Sequence, residues 1–182
     1  KLNAKVNQEP GLYIFKIAGI GSVNLAIDNN QSIQITTTEK GLSAEGTKDL
    51  VLLQQYETFR KQSLSKWMDA TRAALRDAKK IQNATEVTRL SLQEQKNYLA
   101  HKSELTQWVS THMGTSIAVY ATSLRWSVTD LPLLRAMYPE FEKVHPNLKI
   151  TKAFAEKIAR FENIELGKKA LEISSSDTAG NL

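Results

Sequence analysis

Histidine is the residue type that most often carries catalytic or metal-binding chemistry, and this chain has three. A zinc site needs closely spaced ligands, as in H-E-x-x-H, where two imidazoles on one helix face share the metal. His101 and His112 are eleven positions apart, and His145 lies further along the chain. We therefore expect His101 and His112 to be packed or partly exposed helix residues, and His145 to lie where a later helix ends. We predict no catalytic, cofactor-binding or metal-ligating residue in this chain.

A serine–lysine pair is the other candidate for chemistry. Ser63 and Lys66 have the S-x-x-K spacing of some acyl-transfer enzymes, in which the serine is the nucleophile. The partner motifs of those enzymes are missing, and a match of four common residue types arises by chance. A hydrolase that uses Ser63 and Lys66, or a histidine, is therefore the weakest hypothesis.

The three tryptophans could form an aromatic binding platform or belong to the core. Trp67, Trp108 and Trp126 fall at helical spacing within apolar patterns. Such rings are typically buried, and each indole N–H then needs a local partner. We expect all three to be core residues.

The chain contains no cysteine. This excludes a disulfide framework, a thiolate metal site and any thiol chemistry by these residues. It says little about the cellular compartment, because many extracytoplasmic proteins also lack cysteine.

Two long helical patterns, back to back from Thr47 to about Met113, organise the chain. Each has positions at steps of three and four, the spacing that turns one helix face toward a core. The first comprises Leu52, Tyr56, Phe59, Ser63, Trp67, Ala70, Ala74, Ala78 and Ile81. After a break at Gln82-Asn83-Ala84-Thr85, the second comprises Val87, Leu90, Glu94, Tyr98, His101, Leu105, Trp108 and His112. Helices of roughly 30 residues would be about 45 Å long, and we predict that they form an antiparallel hairpin.

Residues 1–46 have the alternating pattern of short antiparallel strands. Apolar and β-branched runs occupy 12–18, 23–27, 33–36 and 42–44, and turn-forming residues at 19–22 and 28–31 predict hairpins. Gly46 precedes Thr47 and Asp49, either of which could cap the first long helix. The predicted fold is α+β, with a small antiparallel sheet or sandwich of four to five strands and a mostly helical region.

Shorter helices are predicted after the hairpin. Gly114 ends the second long helix, and Thr115 or Ser116 could cap a third that extends to Trp126. Pro132 suits the first turn of a fourth helix, which Pro139 is expected to bend or split. A last helix is predicted over 150–161.

The helical part carries the net charge of +5, since residues 1–46 contain as many acidic as basic residues. A basic helical surface could attract phosphate or an acidic partner. However, Asp69 precedes Arg72 by three positions and Asp77 precedes Lys80 by three, the spacing of intrahelical ion pairs. The pattern favours a solvated face, and a nucleic-acid partner is not favoured.

Several stretches resemble one protein family. Residues 22–36, "SVNLAIDNNQSIQIT", and 42–59, "LSAEGTKDLVLLQQYETF", resemble the amino-terminal domain of unknown function of Bacteroidetes thiol–disulfide oxidoreductases, with Thr47 where Ser is usual. Residues 108–126, "WVSTHMGTSIAVYATSLRW", are similar to that family's helix–break–helix segment. The tail, "GKKALEISSSDTAGNL", is similar to the opening strand of a TlpA- or AhpC-like thioredoxin domain. It matches that strand's pattern at Ala170, Glu172, Ile173, Asp177, Gly180 and Asn181. Leu171 replaces the usual Pro.

This resemblance implies that the natural polypeptide continues past Leu182 into a thioredoxin-like domain with a C-x-x-C pair. It implies a periplasmic protein, often a lipid-anchored lipoprotein, that acts on protein disulfides. No position here can receive the family's active cysteines. The implied organisation is a β-domain over 1–46 that lacks leading strands, a helical region over 47–164 with the hairpin over 47–113, and a linker and opening strand over 165–182.

The resulting hypothesis is a non-catalytic module, without cofactor, that positions or dimerises the thioredoxin-like domain or binds its partner. The hairpin is longer than the small sheet can cover, so part of its apolar stripe needs another partner, either that domain in cis or a second copy in a homodimer. The alternative is a stand-alone binding or scaffold protein whose basic hairpin docks an acidic partner or nucleic acid.

Overall fold

The computed structural model describes residues 9–122 and 124–164 of the 182-residue chain. This part has the predicted α+β fold, with four strands followed by helices. The predicted opening strand in 165–182 lies outside the described residues. Among residues 9–122 and 124–164, no helix combines the length and the apolar character that crossing a bilayer requires.

The four strands form two separate antiparallel hairpins. Strands β1 (Gly11–Ile17) and β2 (Gly21–Ile27) pair, and β3 (Gln34–Thr38) pairs with β4 (Gly41–Glu45). All four predicted strands are thus confirmed.

The segment 28–31 does not close a hairpin as expected, because it connects the two sheets. Its side chains explain this difference. The Gln31 side chain accepts a hydrogen bond from the Asp28 N–H and donates one to the Asp49 carboxylate, 2.7 Å away in the first turn of the following helix. These bonds direct the segment toward the helical region instead of back along β2.

The long hairpin is confirmed. Helix α1 (Lys48–Leu64) continues through a π-helical turn (Ser65–Asp69) into α2 (Ala70–Lys80), and α3 (Ala84–Met113) returns antiparallel to both. Thr47 caps α1, since its Oγ1 accepts a hydrogen bond from the Leu50 N–H at 3.2 Å. Asn83 caps α3 in the same way.

The predicted packed stripe of the first helix is only partly right beyond the π turn, since Ala78 is buried as expected but three other members are not. Ala70, Ala74 and Ile81 are exposed, the last at 74%, whereas Met68 and Leu75 are buried. A π turn inserts about one extra residue and rotates the following helix face by roughly 100°. The buried face of α2 therefore includes Leu75 in place of the predicted Ala74 and keeps Ala78.

The segment after the hairpin is less helical than predicted. Ser116 caps it as expected, but a 3₁₀ helix covers only Ile117–Ala121, and Thr122 is already extended. The Thr122 hydroxyl donates to the Val119 carbonyl oxygen at 2.8 Å, which satisfies that group as the chain leaves the helix.

Two further helices complete the described chain. Helix α4 (Leu131–Val144) has Pro132 in its first turn and runs unbroken through Pro139, so the predicted split is absent. The missing N–H of Pro139 would have bonded the carbonyl of Arg135, and because Arg135 is exposed, that end of the lost bond lies at the surface. Helix α5 (Lys149–Asn163) confirms the last predicted helix.

The main core lies at the base of the hairpin, where α1, α3, the 3₁₀ helix, α4 and α5 meet. Its buried members are Ala26, Tyr56, Leu105, Val109, Met113, Ile117, Ala118, Val119, Leu134, Met137, Phe141 and Phe154. A smaller cluster of Leu25, Ala44 and Leu50 joins the β-hairpins to α1, and another of Leu75, Ala78 and Leu90 lies between α2 and α3.

Candidate functional site on the helical hairpin

One face of α3 is covered along half of its length and bare along the other half. Gln95, Leu99, Lys102, Thr106 and Val109 follow one another at steps of four and three, so they share that face. Thr106 and Val109 are buried, at 8% and 0% exposure, whereas Leu99 is 64% exposed. The change occurs at Lys102.

Helix α4 begins opposite Lys102 and fixes this boundary. The Lys102 ammonium donates to the Asp130 carboxylate at 2.8 Å and to the Ser127 hydroxyl at 2.7 Å. Both charged side chains are mostly buried, at 18% and 12% exposure. From there α4 follows α3 toward Gly114. A Cβ added to Gly114 would lie 4.0 Å from the side chain of Met137 in α4. The part of the α3 face that precedes Lys102 therefore lies beyond the N-terminus of α4, and α4 does not cover it.

This bare part borders a groove between α3 and the start of α2. The hairpin groove, as we name it, has a volume of about 370 Å³ and is lined by Met68, Arg72, Glu94, Gln95, Tyr98 and Leu99. Met68 is almost fully buried, and Tyr98 is 46% exposed beside Leu99. The Arg72 guanidinium donates to the Glu94 carboxylate at 2.8 Å at the rim. An apolar surface with a polar rim is typical of protein interaction sites.

The two helices that form the groove are held by polar contacts across the hairpin. The Asn97 side-chain amide donates to the Trp67 carbonyl oxygen at 2.7 Å and to the Thr71 hydroxyl at 2.8 Å. The Trp67 carbonyl belongs to the π turn, in which the regular helical hydrogen bonds are rearranged. The groove is therefore built on a fixed pair of helices and not on a loop.

The serine–lysine pair lies on the same hairpin and is joined to His101 through Glu104. The Ser63 Oγ is 2.8 Å from His101 Nδ1 and 2.7 Å from a Glu104 carboxylate oxygen, while Lys66 pairs with the other carboxylate oxygen. An ionised carboxylate only accepts hydrogen bonds, so the Ser63 hydroxyl donates to Glu104 and accepts from the His101 Nδ1–H.

This network positions helices and does not activate a nucleophile. Ser63 is 3% exposed, its proton is directed to Glu104, and Lys66 is engaged by the same carboxylate. A serine nucleophile needs a base that accepts its proton beside an open substrate site. The geometry therefore gives the hydrolase hypothesis no support.

Burial and neighbouring charges shift the pKa values within the network. Burial is the main cause that lowers the pKa of His101, and Arg60 and Arg72 add to it while Glu104 opposes it. For Glu104, burial would raise the pKa, but hydrogen bonds from Lys66 and Ser63 outweigh it, and the pKa is lowered. The Trp67 indole N–H contributes to that lowering as a weak electrostatic contact, since it makes no hydrogen bond of normal geometry.

The three histidines lie in three different environments. His101 is buried in the hairpin, and His112 is exposed and stacks on Trp108 with ring centroids 4.6 Å apart. His145 is buried after α4, where Nε2 lies 2.8 Å from the Thr115 carbonyl oxygen. His101 and His112 are helix residues of α3, as expected, and His145 follows the last residue of α4, where a helix end was predicted. Within the described ranges, no group of three or more acidic, histidine or cysteine residues could hold a metal ion.

The tryptophans pack without forming an open platform. Trp108 is half-buried and stacks on both the Phe59 and the His112 rings. It borders a second groove of about 550 Å³ along α1. Trp126 packs on the main core, and Trp67 is half-buried in the π turn.

Sequence reasoning missed the hairpin groove. It assigned Tyr98 to the packed stripe of α3 and did not single out Leu99 or Met68. A signal was available in Leu92 and Leu99, which are seven positions apart and outside the predicted stripe, and which are 56% and 64% exposed. Paired apolar residues off the packed face of a helix indicate a second contact surface.

Comparison of the chain with known proteins gave no match to a family model, a curated protein or a solved structure. The structure defines an α+β protein with a long helical hairpin, and the absence of cysteine excludes thiol chemistry by this chain.

Proposed function

We propose that this chain is a non-catalytic module of a periplasmic thiol–disulfide oxidoreductase, and that it positions a thioredoxin-like domain located further along the same polypeptide. The tail pattern from Gly167 to Leu182 supports this proposal, because it resembles the opening strand of such a domain. The lack of cysteine is consistent with it, since the redox chemistry would belong to the other domain.

The observation that carries the proposal is the hairpin groove. It is apolar and accessible, and it lies on helices that Asn97 and the Arg72–Glu94 pair connect. Fixed helices with an exposed apolar patch can position a neighbouring domain, because the patch keeps its shape before contact. This function needs no catalytic residue in the module.

A domain contact fits the hairpin better than a homodimer along its whole length. Leu75, Ala78 and Leu90 are buried against one another between α2 and α3, so this stretch of the apolar stripe is satisfied within one chain. The exposed apolar residues near the groove, Leu92, Tyr98 and Leu99, form a short patch. A stable dimer needs about 800 Å² of buried surface from each partner, and a patch this short is too small to supply it.

The alternative, docking of an acidic partner or nucleic acid, is not favoured by the charge arrangement. Many basic side chains of the hairpin pair with carboxylates of the same hairpin, and the pairs are Arg60–Glu57, Lys66–Glu104, Arg72–Glu94, Lys80–Asp77 and Arg89–Glu86. A phosphate-binding surface instead leaves its lysines and arginines available to displace counterions.

The reading frame that follows Leu182 tests the proposed function. We expect a C-x-x-C pair within about the next 50 codons, since this motif opens the first helix of thioredoxin-like folds. The purified full-length protein should then reduce a disulfide-bonded protein in the presence of a thiol reductant. Its variant with both cysteines changed to serine should not. A frame that stops, or that continues without paired thiols, would refute the proposal.

A further inference from the structure

The chain leaves the described part of the molecule at the end of α5, beside the first turns of α4. Near the end of α5, Glu162 accepts a hydrogen bond from Arg135 at 2.9 Å, and Arg135 lies in the second turn of α4. The start of α4 is in turn fixed to α3 at Lys102. The end of α5 therefore lies against the first turns of α4, the helix whose start marks where the covered face of α3 stops.

The distance from this exit to the predicted thioredoxin-like domain is short. Five residues, 165–169, separate Ile164 from Ala170, the first position that matches the opening-strand pattern. Six Cα–Cα steps span at most about 20 Å even when the chain is fully extended. A domain on so short a connection is confined to the surface around the end of α5. Its effective concentration there reaches the millimolar range.

The groove continues a contact that already exists in the fold. Val109 on the α3 face that borders the groove belongs to the main core together with Leu134 and Met137 of α4. Leu99 and Gln95 extend the same face on the other side of Lys102. The groove floor is apolar, and the charges of Arg72 and Glu94 at its rim are paired with each other. An occupant therefore needs an apolar surface and no net charge of its own at this contact.

From these three observations we infer that the hairpin groove is the docking surface for the thioredoxin-like domain of the same polypeptide. The inference rests on the proposed function and adds where that domain lies. A second copy of the chain is not covalently linked to the groove, so it would lack the high effective concentration of a tethered domain. Its binding would therefore depend on protein concentration.

Site-specific photocrosslinking in the full-length protein tests this inference. The photoreactive residue p-benzoylphenylalanine replaces Leu99 in one variant and Ile81 in a matched control. Ile81 is also an exposed apolar residue, at the far end of the hairpin, and both side chains are exposed enough for the replacement to leave the fold intact. After irradiation, mass spectrometry identifies the linked peptides.

We expect position 99 to link to peptides beyond Leu182 within the same molecule, at least tenfold more than position 81 does. Links between two copies, equal yields at both positions, or no link from position 99 would overturn the docking inference. These outcomes are separable from failure of the proposed function, because a polypeptide without a thioredoxin-like domain is recognised from its sequence before any crosslinking is done.

Discussion

The base of the helical hairpin consists of α1 and the second half of α3, and its outer half consists of α2 and the first half of α3. The two halves are stabilised differently. At the base, large side chains such as Tyr56, Val109 and Phe141 are fully buried among several helices. In the outer half, Leu75, Ala78 and Leu90 form a small cluster between two helices, and polar contacts connect the rest. The base thus carries the cooperative core, while the outer half is a two-helix extension of it.

This difference indicates how a surface patch can be kept in place without a core of its own. Two helices alone bury little area, so their outer half depends on being continuous with the base. The polar contacts at the π turn fix the geometry at the point where the core ends. A binding surface there is rigid, and changes to its exposed residues leave the folding free energy almost unaltered.

The largest expected effect comes from truncating the core at the base. Phe141 is fully buried against Tyr120, His145 and Phe154, and Phe141→Ala should lower the free energy of unfolding by about 3 to 5 kcal/mol. The matched control Leu99→Ala, in the groove, should change it by less than about 0.5 kcal/mol. Urea denaturation of both variants measures this contrast. Similar losses would show that the outer half belongs to the same core.

A smaller and more local effect is expected in the outer half. Leu75 is 7% exposed and contacts few elements, so Leu75→Ala should cost about 2 kcal/mol, at the lower end of the range for buried leucine. We expect faster amide hydrogen exchange in α2 and in the first half of α3. Exchange in α4 should stay unchanged, because local opening need not unfold the base. Uniformly faster exchange across all helices would contradict a separable outer half.

Features that depend on local pattern could be predicted from sequence in both halves of the hairpin. The four strands, the caps at Thr47 and Ser116 and the two long helices follow from local pattern and capping chemistry, and all are present. The packed face of α2 could not be predicted, because the π turn changes the helical phase and no composition signal marks it.

The candidate site was less predictable than the fold. Whether Leu99 is buried depends on where α4 begins, and the Lys102–Asp130 pair that fixes this position joins residues far apart in sequence. The Ser63–His101–Glu104 network has the same origin, since S-x-x-K spacing places Ser63 and Lys66 on one helix but cannot reveal the carboxylate that joins them. Tertiary partners, and not local pattern, decide such sites.

The smallest expected effect concerns the border between the two halves and depends on pH. Burial lowers the pKa of folded His101 below its ordinary value of 6.5, with Arg60 and Arg72 adding to the shift and Glu104 opposing it. As the pH falls below about 6.5, the unfolded chain therefore binds a proton before the folded protein does, and stability is lost until folded His101 also titrates. Above that pH the contribution of His101 is complete and constant.

The variant His101→Gln isolates this contribution, because the glutamine amide can still donate toward Ser63 but does not titrate. Urea denaturation between pH 5 and pH 8 should show a shallower loss of stability at acid pH in the variant than in the parent. Nuclear magnetic resonance titration of the His101 ring should give a pKa below 6.5. Parallel pH profiles for parent and variant would mean that proton uptake elsewhere controls acid stability. The hairpin would then be no more sensitive to acid at this border than at its base.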